Sequence, residues 1–163
     1  MRESGILCPI FSLPSKFGIG CLSREAYEFV DFLHDSGQGY WQILPVSPTG
    51  YGDSPYQPLS AFGCNPYFVS PERLIEEGLL SWDDCNQFDF GCDEEKVDYG
   101  ALYENRDKLL HIAYERFLER EGNKGEEYLA FIEKESFWLE DYCMYRALKN
   151  ENAGAPWAKW DKA

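Results

Sequence analysis

The sequence predicts an α/β fold that opens with a strand–helix–strand unit and continues as a mainly helical stretch. Three observations carry that reading. Two short apolar runs, Gly5–Phe11 and Tyr40–Val46, flank a segment with helical periodicity. Composition changes near Pro71: residues 1–70 hold 7 of the 9 prolines and 8 of the 14 glycines, whereas 71–163 hold 23 acidic residues against 12 basic. Beyond that point apolar residues recur at spacings of three and four, the mark of amphipathic helices. No Ser/Gly linker, internal repeat or low-complexity tract divides the chain.

Each element follows from local chemistry. The first run is bounded by Gly5 and interrupted by Pro9. Ser23 is placed to cap a helix whose first turn holds Glu25. Ala26, Phe29, Val30 and Leu33 fall on one face and predict a buried stripe. Gly37 stops the helix, and Gly37 and Gly39 turn the chain into the second run. Strand, crossover helix and strand make parallel pairing the expectation. Further on, Ser70 and Pro71 read as N-cap and first residue of a short helix over Glu72–Glu77 that ends at Gly78. Residues 79–96 read as irregular, with Asp83–Asp84 and Glu94–Glu95 as solvated acidic surface. A long helix is predicted over Tyr99–Glu121, with Leu102, Leu109, Leu110, Ala113, Phe117 and Leu118 apolar. Asn123 and Gly125 break it. A second runs over Glu126–Asn150, with Phe131, Trp138, Tyr142 and Tyr145 to one side. Trp157 and Trp160 stand beside the end of the 163 residues. Two large indoles there predict a sequence that continues.

Composition excludes several functions. Hydrophobic residues make up 44% and charged residues 27%, which suits a folded chain rather than a disordered one. The formal charge of -14 argues against a phosphate-backbone binder and against an anionic membrane surface. No run of 18 apolar residues is present, and no signal peptide is recognisable; a cytoplasmic location is expected. The six cysteines contain no Cys-x-x-Cys pair, and only His34 and His111 could assist a metal site, so reduced thiols and no metal are expected. Aromatics reach 17%, enough to hint at a ring-lined surface.

The most distinctive stretch is Ser47–Pro66, SPTGYGDSPYQPLSAFGCNP, which follows the second predicted strand. Ligands in parallel α/β folds bind at that end of the sheet. Four prolines stiffen it and three glycines let it bend. Rings beside short polar groups suit a sugar, whose apolar face stacks while its edge hydroxyls find donors and acceptors. Tyr56 reads as a sugar platform or as a lock holding the loop. Asp53 reads as an acceptor for sugar hydroxyls or as a cap for the backbone N–H groups of Ser54 and Tyr56. Asn65 reads as a turn anchor. Gly18-Ile19-Gly20 lacks the third glycine of a dinucleotide fingerprint, and Gly50-Tyr51-Gly52-Asp53 lacks the Lys-Ser/Thr end of a phosphate loop. His34 reads as solvated or capping, His111 as partly buried and structural. No convincing pair of catalytic carboxylates stands out.

The motif Gly-Tyr-Gly-Asp-Ser-Pro-Tyr-Gln, followed by Ser-Ala-Phe and Asn-Pro, resembles the 4-alpha-glucanotransferases called amylomaltases or disproportionating enzymes. RESGILCPIFSLPSKFGIGCL, VDYGALYENRDKLLHIAYERF and FWLEDYCMYRALKN match further pieces in family order, so the resemblance covers essentially the whole chain. It implies the N-terminal part of a (β/α)₈ barrel with a mainly helical insertion. The barrel must be incomplete, since a whole one needs about 250 residues. Residues 1–70 would carry the first βαβ elements with a substrate-cleft loop at 47–66, and 71–163 a helical insertion. The implied activity cuts an α-1,4-glucan and passes the donor to the 4-hydroxyl of an acceptor. The implied partners are maltooligosaccharides or α-1,4-glucans, with no cofactor and no obligate protein partner. Tyr56 is implied as a glucan contact, with Ser54 and Asp53 in the same motif. The family's catalytic acids belong to later strands, so none is expected here and the chain alone should be inactive. A non-catalytic maltooligosaccharide-binding module and, for the whole protein, a related α-glucan hydrolase remain as alternatives. Cys64 departs from the pattern at a small-residue position before Asn65-Pro66.

Overall fold

The computed structural model describes residues 2–50, 52–91, 93 and 96–160. Tyr51, Cys92 and the Glu94–Glu95 pair lie outside the described residues.

Strand β1 (Gly5–Leu7) and strand β2 (Tyr40–Gln42) pair in parallel, Gly5 opposite Tyr40 and Leu7 opposite Gln42. Gly5 is required by this approach: a Cβ there would stand 2.6 Å from the Tyr40 carbonyl oxygen. One further bond continues the ladder at each end, Gly39 N–H to Ser4 O at 2.9 Å and Cys8 N–H to Gln42 O at 3.0 Å. The strands are shorter than the apolar runs that predicted them. Pro9 supplies no ladder donor after Cys8, and the chain turns into a 3₁₀ turn at Ile10–Ser12. Pro45 stands likewise just beyond β2.

Helix α1 (Arg24–Asp35) joins the strands, as its periodicity predicts. Ser23 holds the N-cap position, but its hydroxyl donates to the Glu25 carboxylate rather than accepting from the helix. Ala26 and Leu33 are buried, and Phe29 meets Trp41 of β2 edge-on at 5.1 Å. Val30, expected in the buried stripe, is 49% exposed. Two strands are too narrow to cover that whole face.

Helix α2 (Pro71–Glu76) starts as predicted, with Ser70 Oγ accepting from Arg73 N–H at 3.3 Å. Helix α3 (Trp82–Cys85) corrects the expectation of an irregular 79–96 stretch. Ser81 and Asp84 form a capping box: Ser81 N–H donates to Asp84 Oδ2 at 2.7 Å, and Asp84 N–H to Ser81 Oγ at 3.2 Å. Asp84 is therefore buried rather than solvated. Its carboxylate also takes both Arg116 amino groups, at 2.5 and 2.9 Å. Those bonds, then the one from the Ser81 hydroxyl, hold its carboxyl well below the usual carboxylate range. Asp83 is exposed.

Helix α4 (Tyr99–Glu119) is capped by Asp98, whose Oδ1 accepts from Ala101 N–H at 3.0 Å. Helix α5 (Glu126–Glu151) follows a turn through Gly122–Lys124. The main core gathers Phe17 and Ile19 with Leu80, Cys85, Phe90, Leu102, Leu109 and Ala113. It thus unites residues from both sides of Pro71 and lies against α4. His111, expected to be partly buried, has a side chain 68% exposed, with Nε2 3.5 Å from Glu115 Oε1. The buried face of α4 runs through 102, 106, 109 and 113, and position 111 points away from it. His34 is exposed beside Asp35, with 3.4 Å between Nδ1 and Oδ1.

Candidate functional site

The loop after β2 is a folded unit held by its own backbone. Asn65 N–H donates to Val46 O and Leu59 N–H to Pro48 O, both at 2.8 Å, which closes the base and the waist of the loop. Thr49 and Pro58 bridge the two arms. Ser60 Oγ accepts from Phe62 and Gly63 N–H groups, each at 3.1 Å. Asn65 is the turn anchor its sequence context predicts: Oδ1 accepts from Tyr67 N–H at 3.0 Å, and Nδ2 donates to Thr49 Oγ1 at 3.4 Å. Gly63 is buried against α5, where an added Cβ would lie 3.3 Å from the Tyr142 ring.

The tip needs left-handed backbone. Gly52 has φ +114° and Asp53 φ +56°. Asp53 is one of three non-glycine residues with positive φ among the described residues. Aspartate tolerates that conformation better than most side chains.

Loop, α4 and the end of α5 enclose a cleft of about 370 Å³. Asp53, Asn65 and Tyr67 line one wall; Tyr103 and Asp107 of α4 and Arg146 of α5 line the other. Of the three predicted site residues, only Asp53 is in this cleft. Ser54 is half-buried, and its carbonyl accepts from Gln57 N–H at 3.1 Å. Tyr56 is 71% exposed and stands outside the lining. No hydrogen bond reaches the Asp53 carboxylate among the described residues, so the two N–H groups offered as its capping partners do not engage it. Tyr103, Asp107 and Arg146 escaped the sequence reading. Their signal was faint: two polar residues four apart on a helix whose other side is apolar, and one cation within an aromatic-rich helix.

Burial pushes the Asp53 carboxyl above its ordinary range. Burial, then the charges of Asp53 and Asp107, push the Tyr67 phenol up to about 12. Tyr67 therefore remains a neutral donor and acceptor at any physiological pH. Carboxylate, phenol, amide and guanidinium on ring-lined walls form a set of hydrogen-bonding groups suited to a polyhydroxylated ligand. Among the described residues no group of three or more His, Cys, Asp or Glu side chains is placed to hold a metal ion.

Comparison with known proteins agrees with the motif. The model of the 4-alpha-glucanotransferase family matches residues 8–163. A 4-alpha-glucanotransferase of Clostridium butyricum is 46% identical over 153 residues, 94% of this chain and 31% of that protein. One of Thermus thermophilus is 43% identical over 160 residues, 98% of this chain and 31% of that protein. The solved amylomaltase of Streptococcus agalactiae in complex with acarbose superposes with a TM-score of 0.89 at 39% identity, covering 99% of this chain and 32% of that one. The chain thus spans about a third of the length of the relatives it matches. Its two parallel strands and flanking helices are the N-terminal portion of that barrel-type fold, an incomplete barrel. By sequence and by fold, the chain belongs to the 4-alpha-glucanotransferase family.

Proposed function

We propose that the whole protein bearing these residues transfers segments of an α-1,4-glucan to the 4-hydroxyl of an acceptor glucose or glucan. The observation that carries this reading is the family's Gly-Asp-Ser-Pro-Tyr motif folded as a stiff loop, with Asp53 facing a polar cleft. Tyr56 is the glucan contact in this proposal, its exposed ring offering a face to a sugar. Ser54 and Asp53 supply hydrogen bonds beside it. The chemistry proposed is retaining. A carboxylate nucleophile attacks the anomeric carbon as an acid protonates the departing 4-oxygen; the acceptor 4-hydroxyl then displaces the carboxylate and gives its proton to the same residue, now a base. Those acids are assigned to sequence outside the 163 residues, which makes this segment a substrate-binding part of the site and inactive alone. Cytoplasmic maltodextrin metabolism is the setting proposed with this activity. Separately, no described helix is long and apolar enough to cross a membrane.

Incubation of the full-length protein with maltotriose tests the reading. Glucose together with longer maltooligosaccharides is the expected product set. Glucose and maltose with no longer product would instead identify a hydrolase. The 163-residue chain under the same conditions should match the blank.

A further inference from the structure

We propose that Arg106 is a positioning residue for the glucan loop, an inference that rests on the transferase reading above. Its side chain is fully buried on α4. Nη2 donates to the carbonyl of Tyr67 at 3.0 Å and to that of Val69 at 2.8 Å. Nε and Nη1 have no hydrogen-bond partner among the described residues. The guanidinium lies 5.9 Å from the centre of the Phe90 ring, with the Cys21 thiol in its surroundings.

For stability alone this is a poor arrangement. A buried cation without a carboxylate partner loses its hydration, and an apolar side chain of similar volume fills such a space at no greater cost. What the charge does here is local and directional. Both of its carbonyl partners lie in residues 65–69, the return arm of the loop. The same arm carries Asn65, which holds the loop base through Val46 O and Thr49 Oγ1, and Tyr67, which lines the cleft. Arg106 therefore ties α4 to the point where the loop leaves the site. It fixes the placement of the Tyr67 phenol and of the Asn65–Thr49 contact without reaching the cleft itself. Its expected effect is on sugar affinity rather than on the bond-breaking step.

The test uses the full-length protein with Arg106→Met and Arg106→Lys. Maltotriose kinetics, thermal melting and amide hydrogen exchange over residues 46–69 are measured for each. Arg106→Met should raise KM about tenfold while changing kcat less than about threefold. Exchange should quicken over 65–69 at nearly unchanged melting temperature. Arg106→Lys, whose ammonium can serve one carbonyl, should recover only part of the lost affinity, leaving KM about threefold above the parent, and should slow the exchange again in part. Unchanged KM and exchange in Arg106→Met would overturn the inference, as would a loss of activity that only follows the unfolded fraction. If the Met variant does not fold, the Lys variant decides: a raised KM at unchanged melting supports the role, and an unchanged KM refutes it. An unmodified protein that leaves maltotriose intact would refute the transferase reading and this role with it. Turnover by the unmodified protein with indifferent variants refutes the Arg106 role alone.

Discussion

Helices α4 and α5 are both long, both rich in apolar residues, and oppositely used. Over 21 residues α4 buries Leu102, Arg106, Leu109 and Ala113; over 26 residues α5 buries none. Phe137 and Met144 of α5 are 68% and 60% exposed. Among the described residues its rings meet the Ser47–Pro66 loop through Phe62, 5.3 Å from Phe137 and 5.9 Å from Trp138, and through Tyr142 beside Gly63. One helix is the floor of the core; the other is a rim of the loop. Apolar periodicity therefore predicted both helices correctly while saying nothing about how deeply either is buried.

The sharpest way to break this contrast is at the backbone under the core. Gly18 has φ +77°, and an added Cβ would lie 2.0 Å from the Phe90 carbonyl oxygen. Gly18→Ala must both strain its own backbone and push Phe90 away, and should cost more than about 4 kcal/mol or abolish folding. Urea unfolding of the 163-residue chain reads this directly. A loss of unfolding free energy under a third of that size would mean the Phe90 turn is far looser than its contacts indicate. Next in size is Leu109→Ala, fully buried on α4, expected to cost about 2–5 kcal/mol. Leu129→Ala on α5, where Leu129 is 52% exposed, should stay within about 0.5 kcal/mol in the same chain. Equal losses at the two positions would erase the distinction between floor and rim.

The Asp84–Arg116 pair gives the same contrast a pH signature. The folded carboxyl titrates well below its ordinary range, so its contribution is fully present above about pH 4, the ordinary aspartate value, and fades as pH falls toward the depressed folded value. Asp84→Asn should lower stability at neutral pH and flatten the acid limb of the stability curve. Acid limbs of equal slope in the two proteins would show that the α3–α4 clasp does not carry the acid sensitivity.

How much of this was legible beforehand differs by region for physical reasons. The βαβ opening, its parallel pairing and helices α1, α2, α4 and α5 follow from periodicity, caps and glycine stops. α3 was missed because four residues are too few to show a period, though Ser81 and Asp84 stand at capping-box spacing. The charge run Asp83–Asp84 reads as surface until Arg116, thirty-two residues on, is brought against it. His111 was misplaced by its apolar neighbour Leu110, because adjacency along a helix does not mean a shared face. At the site the loop and its anchor Asn65 were readable from local turn chemistry. Tyr103, Asp107 and Arg146 were not, because their meeting with Asp53 depends on how α4 and α5 pack.

The smallest expected effect separates the two readings of Asp53. Its backbone sits in the left-handed region, which glycine enters without the steric cost a Cβ brings. Asp53→Gly should therefore change stability by no more than about 1 kcal/mol, with relief of strain offsetting the greater freedom of the unfolded chain. If the carboxylate capped the turn, its removal would add the loss of that cap, and the loop amides of Ser54 and Tyr56 would exchange faster. No such bond is present among the described residues, so the amides should exchange at the parent rate. The full-length Asp53→Gly protein should instead bind maltooligosaccharides more weakly, with Asp53→Asn in between because the amide keeps one acceptor oxygen. Faster exchange at Ser54 and Tyr56 with unaltered sugar affinity would assign Asp53 to the turn. Weaker affinity over an undisturbed loop would assign it to the cleft, on the loop side of the rim that α5 completes.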